Sequence, residues 1–199
     1  MNRGEARAAG EKAEAALELA RAHESVIWVD AAMAVRACLL ADERLEDSVA
    51  ALEGAMARSS GWRRVIQLCL LAELCGKHAE ADRGLAHLDE ALALVQRGVA
   101  YAAPEVHRLR GELLLARGAS GDRGDAEAAF RRAIEIARAR EERSLELRVA
   151  TSLARLLLRD GRREEARRTL GETYGWFTEG FDTRDLKTAR ALLDELEEE

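Results

Sequence analysis

A chain of 199 residues with 48% hydrophobic and 34% charged residues can bury one or two cores or build one elongated array, and its wealth of Ala, Leu, Arg and Glu with a single proline predicts helix throughout and no sheet. A net charge of −6 and a pI near 5.5 argue against a nucleic-acid binder, whose surface carries a basic excess. No apolar run reaches the roughly 18 residues of a membrane-spanning helix, and "MNRGEARAAGEKAEAALELA" lacks the apolar stretch of a secretion signal, so a cytoplasmic location is expected.

The elements are read in chain order. A first amphipathic helix is expected over 5–23, with Ala13, Leu17 and Ala20 on one side. Four helix hairpins follow at 25–58, 61–97, 103–140 and 142–175. Gly61, Gly98, "GASGDRG" and "RDGRREEA" mark their turns, and Pro104 stands where a first-turn proline is tolerated. Residues 176–199 supply an aromatic turn and a last helix near 183–198, about ten helices in all. Cys38, Cys69 and Cys75 each lie in an apolar stretch and read as small core residues; the six-residue step between the last two is poor for zinc.

A repeat underlies these hairpins. Ala154, Leu157, Ala166, Leu170 and Thr173 alternate small and large residues across a helix–turn–helix. The same offsets carry Ala72, Cys75, Gly84, Leu88 and Ala91, and more weakly Arg36, Leu39, Ser48, Leu52 and Ala55. A further copy, Gly111, Leu114, Ala126, Phe130 and Ala133, has three extra residues in its turn. Small residues at such positions let two antiparallel helices approach, and large ones fill the groove between them. From Ser48 to Gly84, Ala126 and Ala166 the steps are 36, 42 and 40 residues. That is longer than the roughly 34 of a standard tetratricopeptide repeat. The expected fold is therefore all-α, a right-handed α-solenoid of tetratricopeptide-like hairpins closed by a C-terminal capping helix. Ala13, Leu17 and Ala20 match the second helix of a repeat whose first helix is missing. The chain is thus expected to start mid-repeat, with an uncovered apolar flank.

"VHRLRGELLLARG", "AEAAFRRAIEIARAR", "SLELRVATSLARLLL" and "YGWFTEGFDTRDLKTARALLDEL" resemble the C-terminal end of a bacterial family of large signalling proteins. Its members carry a class III adenylate/guanylate cyclase domain or a DNA-binding domain, then an AAA-like ATPase and a long tetratricopeptide array. The resemblance is close from Glu105 onward and looser across 26–100; Arg184 stands where the family often has proline. It implies the array alone, because no G-x-x-x-x-G-K-[ST] phosphate loop is present.

Candidate sites follow from the repeat. First-helix residues line the concave side of such arrays: Glu73 and Lys77, then Glu105, Arg108 and Glu112, then Arg148, Thr151, Arg155 and Arg159. The spacing of the last set puts three arginines on one helical stripe. With Arg108 they make a candidate groove for an acidic segment; a solvated face paired with local glutamates is the plainer alternative. Tyr174, Trp176, Phe177 and Phe181, half of the eight aromatic residues, read as rings filling the step at the array's end under the last helix. A peptide pocket at Trp176 and Phe177 is the alternative. Asp182 or Thr183 is placed to cap that helix.

His23, His78, His87 and His107 show no metal-ligand spacing, and no nucleophile elbow, zinc-protease motif or C-x-x-C occurs. No catalytic residue, cofactor or metal is expected. The expected role is a non-catalytic protein–protein interaction module, its partner an acidic segment or an attached or associated ATPase or cyclase domain, with neither nucleic acid nor membrane. The alternatives are a small-molecule effector sensor and a scaffold that self-associates through the Ala13, Leu17 and Ala20 edge.

Overall fold

The computed structural model describes residues 3–23, 29, 32, 45–56 and 60–198. Among these, all regular structure is helical: nine α-helices and one short 3-10 turn. No helix among the described residues is long and apolar enough to cross a membrane. The described chain divides into two compact units, Met1–Leu94 and Val95–Glu199, where the periodicity reads one array over 1–199.

The first unit holds α1 (Arg3–Ala22), α2 (Leu45–Met56), α3 (Trp62–Lys77) and α4 (Ala81–Gln96). Glu46 and Asp47 in the first turn of α2 face the positive end of its dipole, and Lys77 closes α3 at the negative end. Val49 and Leu52 of α2 pack with Leu71 and Leu74 of α3 in one buried cluster. Ala13, Leu17 and Ala20 of α1 are buried, and this corrects the expectation of an uncovered edge there. Their i, i+4, i+7 spacing builds an inward stripe, and the exposed side of α1 carries Ala16 and Leu19 instead. Arg36, Leu39 and Cys38, and the expected helix before α2, lie outside the described residues, as does the side chain of Ala55.

The second unit begins with the 3-10 turn (Ala100–Ala102) and continues with α5 (Ala103–Arg117), α6 (Asp122–Ala139), α7 (Arg143–Arg159), α8 (Arg163–Tyr174) and α9 (Arg184–Glu197). Successive helices pack on each other; α7 also packs on α5, and α9 on α7. The result is two layers, with α5, α7 and α9 in one and α6 and α8 in the other. Every small–large position of three of the expected repeat copies is buried, from Ala72 to Ala91, Gly111 to Ala133 and Ala154 to Thr173. The tightest crossing is at Gly111, where a Cβ would lie 2.5 Å from Phe130 Cε1: the ring occupies the space the glycine leaves.

The turns that follow α3, α5 and α7 share one device. Ala79, Gly118 and Gly161, each seven residues after the first small position, take left-handed backbone with φ of 60°, 68° and 74°. Around them, backbone N–H groups reach back to the last carbonyls of the first helix: Glu80 to Cys75 at 2.9 Å, Gly118 to Leu114 at 3.0 Å, Arg162 to Leu157 at 2.9 Å. The turn before α6 then departs from the pattern, since its extra residues include a second left-handed glycine, Gly121. Asp122 closes it, accepting from Arg117 Nε at 2.9 Å and from the Ala119 N–H at 2.8 Å.

The end of the chain differs from the aromatic cap expected. Trp176 is 62% exposed and Phe181 47%, whereas Leu186, Ala189, Leu192, Leu193 and Leu196 of α9 are all buried. Each buried leucine contributes on the order of 1.5–3 kcal/mol before chain entropy is counted, so the leucines and not the rings hold the last helix down. Trp176, Phe177 and Phe181 sit on the connection between α8 and α9, and Tyr174 ends α8. Thr183 is the N-cap residue but makes no side-chain cap bond, and Asp185 in the first turn supplies the favourable charge.

Candidate functional site: the arginine stripe of α7

The residues facing outward from the α5, α7 and α9 layer form a charged surface. On α5, Arg108 is locked in a two-point bond to Glu105, Nε to Oε2 at 2.9 Å and the terminal nitrogen to Oε1 at 2.7 Å. It also lies 3.7 Å from Glu112, and its side chain is only 14% exposed. Arg108 is therefore an internal partner of its own helix, with little surface left for a ligand.

On α7 the stripe has two different halves. Arg148 donates to Asp185 Oδ2 of α9 at 3.1 and 3.3 Å and lies 3.7 Å from Glu105 of α5. It ties three helices together at the end where they begin. One turn on, Ser152 donates to Glu112 Oε1 at 2.6 Å, a second tie between α7 and α5. Thr151 is buried, with its hydroxyl bonded to the Leu147 carbonyl at 2.8 Å, and this corrects its assignment to the groove. A threonine three residues from Arg148 turns about 60° off the stripe, into the helix interface. Arg155 and Arg159 are exposed and make no hydrogen bond or ion pair among the described residues. In the first unit, Glu73 and Lys77 pair with each other at 3.3 Å, as helical neighbours four apart do.

The opposite layer carries a closed cluster of charges. Arg131 of α6 meets Glu127 at 2.6 Å and Glu165 of α8 at 2.7 Å, while Arg162 meets the same two carboxylates at 2.8 and 2.7 Å. The hydrogen bond from Arg162 pulls the Glu127 carboxyl below its ordinary value, and that from Arg131 does the same for Glu165. This ring leaves no charge in that cluster to offer a partner.

The aromatic turn is the second candidate. The Arg143 guanidinium lies 4.0 Å over the Trp176 ring, a cation–π contact. Arg143 also bonds Glu146 at 2.8 Å; that carboxylate is 1% exposed and takes Arg138 on its other oxygen at 2.9 Å. One face of Trp176 is thus covered by an arginine that a buried acid fixes. Phe177 is half-buried, and Tyr174 and Phe181 meet at 5.9 Å with a 50° tilt. The geometry pairs Tyr174 with Phe181, and Trp176 with Arg143. A depression of about 500 Å³ lies beside α8, lined by Glu164, Glu165, Arg167, Arg168, Gly171 and Glu172, and takes in none of the expected site residues.

Chemically reactive groups are quiet. Burial pushes the Cys75 thiol up, away from thiolate. Burial lowers His87 and His107, the first with Arg83 beside it and the second with Arg132 and Arg110. Among the described residues no three His, Cys, Asp or Glu side chains gather to hold a metal.

Sequence reasoning missed Ser152, Asp185 and Glu146. Asp185 lies in the first turn of α9, and only the docking of that helix brings it to Arg148. A glutamate flanked by Arg138 and Arg143 could have flagged Glu146, but its burial depends on the fold.

No family model and no curated protein sequence matches the chain. Among solved structures, the crystal structure of BtubC (BKLC) from P. vanneervenii is similar in fold, with a TM-score of 0.70 at 16% identity over 96% of this chain and 89% of that one.

Proposed function

We propose that the chain is a non-catalytic protein-binding array, a right-handed α-solenoid of tetratricopeptide-like hairpins, serving a bacterial signalling ATPase or cyclase system. The observation that carries this reading is the arginine stripe of α7, in a layer made by alternate helices. At its start the neighbouring carboxylates are engaged, yet at its far end two guanidinium groups make no ion pair among the described residues. In support of the repeat, the small–large positions of three hairpins are buried and their turns share a left-handed residue at one offset. Such a surface recognises a partner by charge and shape and asks for no reacting group. The resemblance of residues 105–199 to the tails of signalling proteins supplies the system and the cytoplasmic setting.

The test is cross-linking in cells of the source bacterium, with the tagged chain and mass-spectrometric identification of its neighbours. A signalling ATPase or cyclase among them is the expected result. Cross-links between copies of the chain alone would replace the reading with self-association, and a melting temperature that rises with a small metabolite would replace it with effector sensing.

A further inference from the structure

We infer that Arg155 and Arg159 form the recognition subsite of the array, and that it receives an acidic peptide presenting two carboxylates on one side at alternate positions. This deepens the protein-binding reading above and rests on it.

Arg148, Arg155 and Arg159 follow one helical stripe, within about 40° of one another around α7, and Ser152 flanks it. The bonds of Arg148 to Asp185 and of Ser152 to Glu112 show which way that stripe faces: across the layer of α5, α7 and α9. At its start the stripe is neutralised. At its far end the nearby acids are all committed elsewhere or out of reach. Asp160, adjacent to Arg159, pairs with Arg123 of α6. Asp122 is taken by Arg117. Asp194 of α9 pairs with Arg190, and Glu195 makes no ion pair with either arginine. From Leu113 to Ala116, α5 carries no carboxylate at all.

Two arginines four apart on one helix repel each other, which disfavours the folded chain slightly. In a chain with 37 acidic against 31 basic residues, an acid could neutralise them, as others neutralise Arg108, Arg131 and Arg162. Leaving the pair open is a cost to the free protein that an incoming anion removes. Side chains four apart on a helix stand roughly 5–6 Å apart. Alternate side chains of an extended peptide point the same way about 6.8 Å apart, so two carboxylates at i and i+2 meet both guanidinium groups. A nucleic acid presents phosphates at a similar pitch, but the chain's net charge of −6 opposes a long polyanion.

The experiment is fluorescence anisotropy of a fluorescein-labelled octapeptide of alternating Glu and Ser, titrated with the full chain, beside its Gln–Ser counterpart. The Glu peptide is expected to bind in a salt-sensitive way and the Gln peptide not to bind. R155A/R159A is expected to weaken binding by about tenfold or more, the loss of charge-assisted bonds. R148A, whose arginine is a strut, should leave affinity within about twofold while lowering the melting temperature. Circular dichroism of each variant separates lost binding from lost folding. Equal binding of the Glu and Gln peptides, unchanged affinity in R155A/R159A, or no binding of the Glu peptide each overturns the inference. So does a single-stranded oligonucleotide that binds as tightly as the peptide. Because cellular cross-linking is independent of this subsite, a signalling partner recovered equally by R155A/R159A would overturn the subsite and leave the proposed function standing.

Discussion

The α5–α6 pair crosses on Gly111 and Phe130, whereas the α7–α8 pair places Ala154 and Leu170 at the equivalent positions, one methyl exchanged for the bulk of a ring. The two also divide their charges differently. On α5 the outward arginine, Arg108, is folded onto its own glutamates; on α7 the corresponding stripe ends in two open arginines. The comparison teaches that one packing pattern fixes the backbone crossing, while the outward residues between its positions are free to be neutral in one hairpin and charged in the next.

The sharpest way to break the comparison is to give α5 the methyl that α7 already has. Gly111→Ala places a Cβ against the Phe130 ring, and destabilisation of about 1–3 kcal/mol is expected from overpacking, against a helix-propensity gain of about 1 kcal/mol. Adding Phe130→Leu copies the Ala154 and Leu170 solution and is expected to restore most of the loss. Urea unfolding of the single and double variants measures both; a double variant no better than the single would show that the two hairpins do not share a crossing.

The turns sharpen it next. Gly161→Ala forces a Cβ into left-handed backbone and is expected to cost about 1 kcal/mol. Ala79→Gly and Glu141→Gly, at φ of 60° and 58°, relieve the same strain and are expected to gain a few tenths to 1 kcal/mol. If Ala79→Gly lowers the midpoint instead, the three turns are not one device.

Acidification probes the link between the hairpins and carries the smallest effect. His107 and His87 titrate below their ordinary value of 6.5 when folded, so below that value the unfolded chain binds the extra protons and stability begins to fall. Glu127 and Glu165 are depressed below their ordinary value of 4.5. Their stabilisation is therefore complete above that value and is lost as pH falls through the folded ones. Melting temperature followed from pH 7 down to about 3 should show both limbs, and R131A/R162A should flatten only the lower. A lower limb unchanged in that variant would mean the ring between α6 and α8 holds nothing together.

Much of the architecture was legible in residues alone. Helix, and the burial of the small–large positions, follow from periodicity, because every 3.6 residues a helix must show its core the same face. Local pairs such as Glu105 with Arg108 are equally readable, since three or four residues of spacing is contact by construction. What the tertiary structure alone decided is which long-range neighbour each outward charge meets. Asp185 reaches Arg148 from 37 residues away and Glu165 reaches Arg131 from 34, while among the described residues no carboxylate pairs with Arg155 or Arg159. It also decided that leucines and not rings hold α9, and that Ala13, Leu17 and Ala20 are covered. Burial and ion pairing depend on what lies across a gap in space, and a spacing rule carries no information across that gap.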